Sequence, residues 1–71
     1  MKPVDRELME GMGNCYAACG ANFDETVRMV SSSRDRTPED VVQTLRRLRS
    51  ESGSTEEYLR LRARFPADFP V

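Results

Sequence analysis

Cys15 and Cys19 lie four positions apart, so on a helix their thiols stand one turn apart on the same face. Two thiolates are half of a closed structural zinc site, which takes four nitrogen or sulfur ligands, and the chain has no His and no further Cys. No acidic residue at ligand spacing completes the set. Free cysteines are among the most often buried residues, so the spacing predicts a reduced, metal-free pair that helps fill a core. A redox thiol is usually activated by a nearby cation, and no basic residue adjoins either Cys.

Catalysis has little to work with. Acid–base chemistry lacks a His, no glycine-rich cradle follows a strand, and no Ser or Cys has a recognisable base. The acidic residues cluster in the first turns of the expected helices, where capping and the helix dipole account for them. The expectation is a non-enzymatic chain with no catalytic residue, cofactor, metal or small-molecule substrate.

The arginines carry the one charge pattern that suggests a ligand. Arg46, Arg47 and Arg49 fall on one helix, Gln43 shares its polar face, and Arg34 and Arg36 precede it. Together they form a candidate phosphate-contacting patch for RNA or DNA. The alternative is a solvated helix face whose cations are favoured near a helix C-terminus. No aromatic residues interleave with the bases, as stacking on nucleobases would require.

Four helices position these groups. Leu8, Met9, Met12, Cys15, Tyr16 and Cys19 recur at a spacing of three and four, with Asp5 as N-cap and Gly20 as the C′ stop. Gly11 and Gly13 inside this segment imply either a late start or a close approach by another backbone. Asn22, with Glu25 three residues on, opens a second helix whose stripe is Phe23, Val27 and Val30. Residues 31–36 read as a polar loop. Thr37, Pro38, Glu39 and Asp40 start a third helix with Val41, Val42, Leu45 and Leu48 on its apolar side, ended by Gly53. Ser54 and Glu57 suggest a capping box for a short fourth helix carrying Tyr58, Leu61 and Phe65. Two prolines stop it, leaving an apolar tail that either folds back or docks on a partner through Phe65, Phe69 and Val71. Tyr16, Phe23, Val27, Val41, Leu45 and Leu48 are expected to be buried together.

Length and charge set the limits. A chain of 71 residues supports one domain with one small core, marginal alone and readily completed by a larger partner. Net charge is −1, and residues 31–71 carry eight Arg against seven acids, so any polyanion contact belongs to that half. No apolar run approaches bilayer length, and the first ten residues bear acids where a presequence would be basic and apolar, which suggests an intracellular protein without membrane partners.

Gly20-Ala21-Asn22-Phe23 between two helices, and Arg36-Thr37-Pro38-Glu39-Asp40-Val41 opening the third, resemble a Myb/SANT-type domain over residues 5–50. The resemblance implies an all-α fold: a three-helix core of helix-turn-helix type, extended over residues 54–71 by a short fourth helix and an irregular apolar tail. It also implies a third helix facing a nucleic acid or protein partner. Val42 stands where the family usually has a base-contacting Lys and Gln43 where it has Asn, which favours the SANT-like, protein-binding use. Tyr16, Gly20 to Phe23, Met29, Thr37-Pro38 and the tail Phe65-Pro66-Ala67-Asp68-Phe69 look like the C-terminal part of the nucleolar protein sixteen family of ribosome-assembly factors. That likeness implies a ribonucleoprotein assembly in the nucleus or nucleolus. The expected function is a binding module of a larger assembly, touching phosphates through the third helix and protein through the tail. The alternative is a purely structural subunit without nucleic-acid contact.

Overall fold

A computed structural model of the chain covers residues 1–71 and shows four helices and no strand: α1 Pro3–Ala18, α2 Phe23–Ser33, α3 Pro38–Ser52 and α4 Glu56–Arg62. None is long and apolar enough to cross a membrane.

The helix ends follow local chemistry, with three departures from the expected bounds. α1 starts at Pro3, and Asp5 sits in its first turn rather than at its cap. Pro3 has no N–H to satisfy and a φ already suited to a helix, so Lys2 becomes the cap residue, its carbonyl accepting from the Asp5 and Arg6 amides at 3.1 and 3.0 Å. The far end of α1 is as expected. Gly20 follows the cap residue Cys19 with a φ of +65°, and the Ala21 amide bonds back to the Tyr16 carbonyl at 3.0 Å.

Asn22 caps α2 by accepting from the Glu25 amide at 2.9 Å, while the Glu25 carboxylate turns away to Arg28 at 2.6 Å. Residues 31–33, expected in a loop, extend α2 by three residues. The Ser31 and Ser33 hydroxyls bond to the Arg28 and Val30 carbonyls, which lets polar side chains stay helical. Thr37 caps α3, accepting from the Asp40 amide at 3.1 Å, and the helix ends at Gly53. α4 is capped by Thr55 rather than Ser54. The Thr55 amide is held by the Ser52 carbonyl in a turn, and its hydroxyl is then the one that meets the Tyr58 amide, at 3.2 Å.

All four helices and the tail share one core. Leu8, Met9 and Met12 meet Val27 and Val30, Val41, Leu45 and Leu48, then Tyr58, Phe65, Phe69 and Val71. Val27, Val41, Leu45 and Leu48 are buried as expected, but Tyr16 and Phe23 are only half-buried. They lie beside the tail: Phe69 takes Tyr16 and Phe23 edge-on with centroids 5.1 Å away and stacks on Phe65 at 4.2 Å.

The tail is therefore not a free docking segment. Phe65, Phe69 and Val71 are each under a tenth exposed and complete the chain's own core. Pro66 turns the chain, its carbonyl accepting from the Phe69 amide at 3.1 Å, and Phe65, Phe69 and Val71 then cluster with Leu45 of α3 and Tyr58 of α4. A core confined to residues 5–50 with an appended tail does not describe the molecule.

Candidate functional site

The six polar residues grouped by sequence do not form one patch. Arg34 leaves the loop and lies across α1, where its guanidinium donates to the Glu7 carbonyl at 3.0 Å. A Cβ on Gly11 would collide with that guanidinium. The mid-helix glycine thus makes way for a crossing side chain, neither a late helix start nor a neighbouring backbone.

Arg36, in the connection before α3, folds over the first turns of that helix, 2.6 Å from Asp40 and 2.7 Å from the buried Thr44 hydroxyl. The hydrogen bond from Arg36, with its charge, holds the Asp40 carboxyl below the usual value against a smaller opposing effect of desolvation.

Arg47 does not point freely into solvent either. Its guanidinium bridges α3 to α1, 3.2 Å from Asp5, which is buried, and 3.3 Å from Glu51. Desolvation disfavours the guanidinium's charge, but the charges and hydrogen bonds of Asp5 and Glu51 together outweigh it and raise its pKa. The expectation that Arg47 belongs to the phosphate-contacting patch is corrected here: it is the counter-ion of a carboxylate inside the fold.

Arg46 and Arg49 remain. They stand three positions apart on the exposed side of α3 and form no ion pair. Gln43 precedes Arg46 on that side and lines, with it, a groove between α2 and α3 floored by Phe23, Val27, Pro38 and Val42.

A residue outside the expected patch joins them. Arg62, at the end of α4, shares a cleft with Arg49, Ser50 and Ser54, and Arg46 and Arg49 share the adjoining cleft with Ser50 and the end of the tail. Neither cleft is lined by an Asp or Glu. Arg62 is held in place: its guanidinium lies 5.4 Å from the Phe69 ring centroid and 6.0 Å from that of Phe65, and donates to the Pro66 carbonyl at 3.1 Å. The only sequence hint of this was an Arg three residues before Phe65 on a helix.

Arg46, Arg49 and Arg62 thus form a cationic strip along the junction of α3, α4 and the tail. Planar guanidinium groups without carboxylate partners, flanked by serine hydroxyls, suit oxyanions such as phosphate, which accept several hydrogen bonds at once. No three His, Cys, Asp or Glu side chains come together as a metal-ligand group. No protein-family model, curated protein or solved structure matches the chain.

Proposed function

We propose that this chain is a non-enzymatic binding module of a larger nucleoprotein assembly and holds nucleic-acid phosphates along Arg46, Arg49 and Arg62. The observation that carries this reading is that no Asp or Glu side chain lines the two clefts that share Arg49. Arg6, Arg28, Arg36, Arg47 and Arg60 are paired with carboxylates within the molecule, and a chain of net charge −1 has no general field to attract a polyanion. A local strip of cations without counter-ions is the feature left for phosphate, and phosphate contacts position a protein without reading sequence.

The likeness to Myb/SANT domains supports the use of α3 as the contact helix, and the likeness to ribosome-assembly factors supports RNA in a nuclear or nucleolar particle. Gln43 beside Arg46 adds a side chain suited to the edge of adenine, while Val42 offers none. A second reading, a structural subunit bound only to protein, rests on the groove floored by Phe23, Val27, Pro38 and Val42, whose rim carries both signs of charge.

Binding of single-stranded and duplex RNA and DNA oligonucleotides at increasing salt tests the proposal. Affinity should fall steeply with ionic strength for the parent. Arg46→Ala, Arg49→Ala and Arg62→Ala should each reduce the salt slope by about one unit, similarly across sequences. Absence of any nucleic-acid binding by the folded parent sinks the phosphate reading and leaves the protein-bound subunit.

A further inference from the structure

The groove between α2 and α3 adjoins the cationic strip, because Arg46 lines both the groove and the cleft that holds Arg49. Its volume of about 600 Å³ lies within the roughly 300–1,000 Å³ of pockets that enclose a small organic group. Val27 is buried at its floor, but Phe23 and Val42 are only half-buried and Pro38 is exposed, so the groove presents apolar surface that the chain's own core does not cover. Along the sequence no aromatic residue alternates with the arginines. Folding alone brings the Phe23 ring into one groove with Arg46. Two carboxylates also line it, Asp24 and Glu39, and neither forms an ion pair.

We infer that this groove receives one unpaired adenine base of a single-stranded nucleic acid whose phosphates lie along Arg46, Arg49 and Arg62. The inference rests on the phosphate reading above and narrows its ligand to a single strand. Each base of a nucleotide chain hangs from a sugar that also carries phosphate, so a backbone held at Arg46 brings a base to the groove that Arg46 lines. Duplex bases are paired and stacked out of reach. The unstacked bases of a single strand turn outward onto aromatic and apolar faces, and Phe23, Pro38 and Val42 supply such a face. The polar lining selects the base. Asp24 and Glu39 repel phosphate, which keeps the backbone on the Arg46 side, and they accept from an exocyclic amino group, which adenine has and uracil lacks. The exposed Gln43 amide supplies the donor and acceptor pair that matches adenine N7 and its N6 amino group. A protein segment in the groove would leave Arg49 and Arg62 without an anion, so the shared Arg46 favours the nucleic acid.

The experiment is a set of fluorescence-anisotropy titrations of the full chain with oligoadenylate, oligouridylate and a ribose–phosphate oligomer without bases, all of one length, and with the oligoadenylate paired to oligouridylate. Oligoadenylate should bind about tenfold more tightly than oligouridylate, the effect of one bidentate base contact, and the abasic oligomer should bind most weakly. Pairing should remove the advantage of the oligoadenylate. Gln43→Ala, at an exposed position, should bring oligoadenylate down to the level of oligouridylate and leave the abasic oligomer and the salt slope unchanged, whereas Arg46→Ala should weaken all three. NMR of the parent, which needs no variant to fold, should show the Phe23 ring and Val42 methyl resonances shifted by oligoadenylate and not by the abasic oligomer. Absence of binding to every oligomer sinks the phosphate reading and the base site with it. Abasic binding as tight as that of oligoadenylate, or unmoved Phe23 and Val42 resonances, overturns the base site alone and leaves the groove to a protein partner. Equal affinity of the parent for oligoadenylate and oligouridylate, or an unaltered preference in Gln43→Ala, overturns the assignment of adenine.

Discussion

Arg47 and Arg46 are neighbours on one helix and serve opposite ends. Arg47 belongs to a region of paired charges: Asp5 and Glu51 hold it, and beside them Arg6 and the N-terminal amine meet Glu57 at 3.0 and 3.8 Å. Arg46, on its other side, lines with Arg49 a cleft free of Asp and Glu, which adjoins the one that Arg49 shares with Arg62. The first region ties α1 to α3 and α4; the second leaves its charge to a partner. A run such as Arg46-Arg47-Leu48-Arg49 therefore cannot be read as one patch. One hundred degrees of helix rotation per residue sends adjacent side chains to different neighbours.

The widest separation of the two regions is expected at Phe69, on which the cationic strip rests. Phe69→Ala removes a buried ring that stacks on Phe65 and supports Arg62, and should cost about 3–5 kcal/mol, enough to unfold a domain this small. A thermal melt equal to that of the parent would return the tail to a docking role.

A smaller effect separates Arg47 from Arg46 directly. Arg47→Ala leaves Asp5 buried without its counter-ion and should lower stability measurably, by less than a fully buried pair would because the arginine side chain is well exposed. Arg46→Ala should stay within about 0.5 kcal/mol of the parent. Denaturant melts of both, and of Arg47→Ala combined with Asp5→Asn, check this. The combined variant should recover part of the loss. Equal stability of the two single variants would erase the distinction between the regions.

The smallest expected effect is the pH dependence of the Arg36–Asp40 pair. The Asp40 carboxyl is lowered below its unfolded value of 3.8. Its contribution is therefore fully present above that value and is lost as pH falls through the folded value. Arg36→Gln should flatten the acid limb of the melting temperature relative to the parent while leaving the difference between them constant above about pH 5. Parallel acid limbs would show that the contact does not persist in solution.

How far the sequence reaches can be seen residue by residue. Asn22, Thr37 and Gly20 act as read, and Val41, Leu45 and Leu48 face inward, because a cap or a stripe is decided by atoms within about four residues along the chain. Thr55 displaced Ser54 as a cap because both hydroxyls are suitable and a turn bond from Ser52 chose between them. The candidate site was less legible. Arg46 and Arg49 were named, but so were Arg34, Arg36 and Arg47, which the fold directs to a carbonyl, a neighbouring turn and a buried acid, and Arg62 was not.

By itself, the sequence determined four helices, the caps of the second and third, their apolar faces and a local excess of arginine in the second half, since periodicity and local capping need no tertiary information. Only the tertiary structure decided which charges cancel and which remain. Asp5 and Arg47 are 42 residues apart, Arg6 and Glu57 are 51 apart, and the tail that seats Arg62 has no periodicity to predict its course. A charge's role depends on the opposite charge that folding brings within about 4 Å of it, and sequence distance carries no record of that.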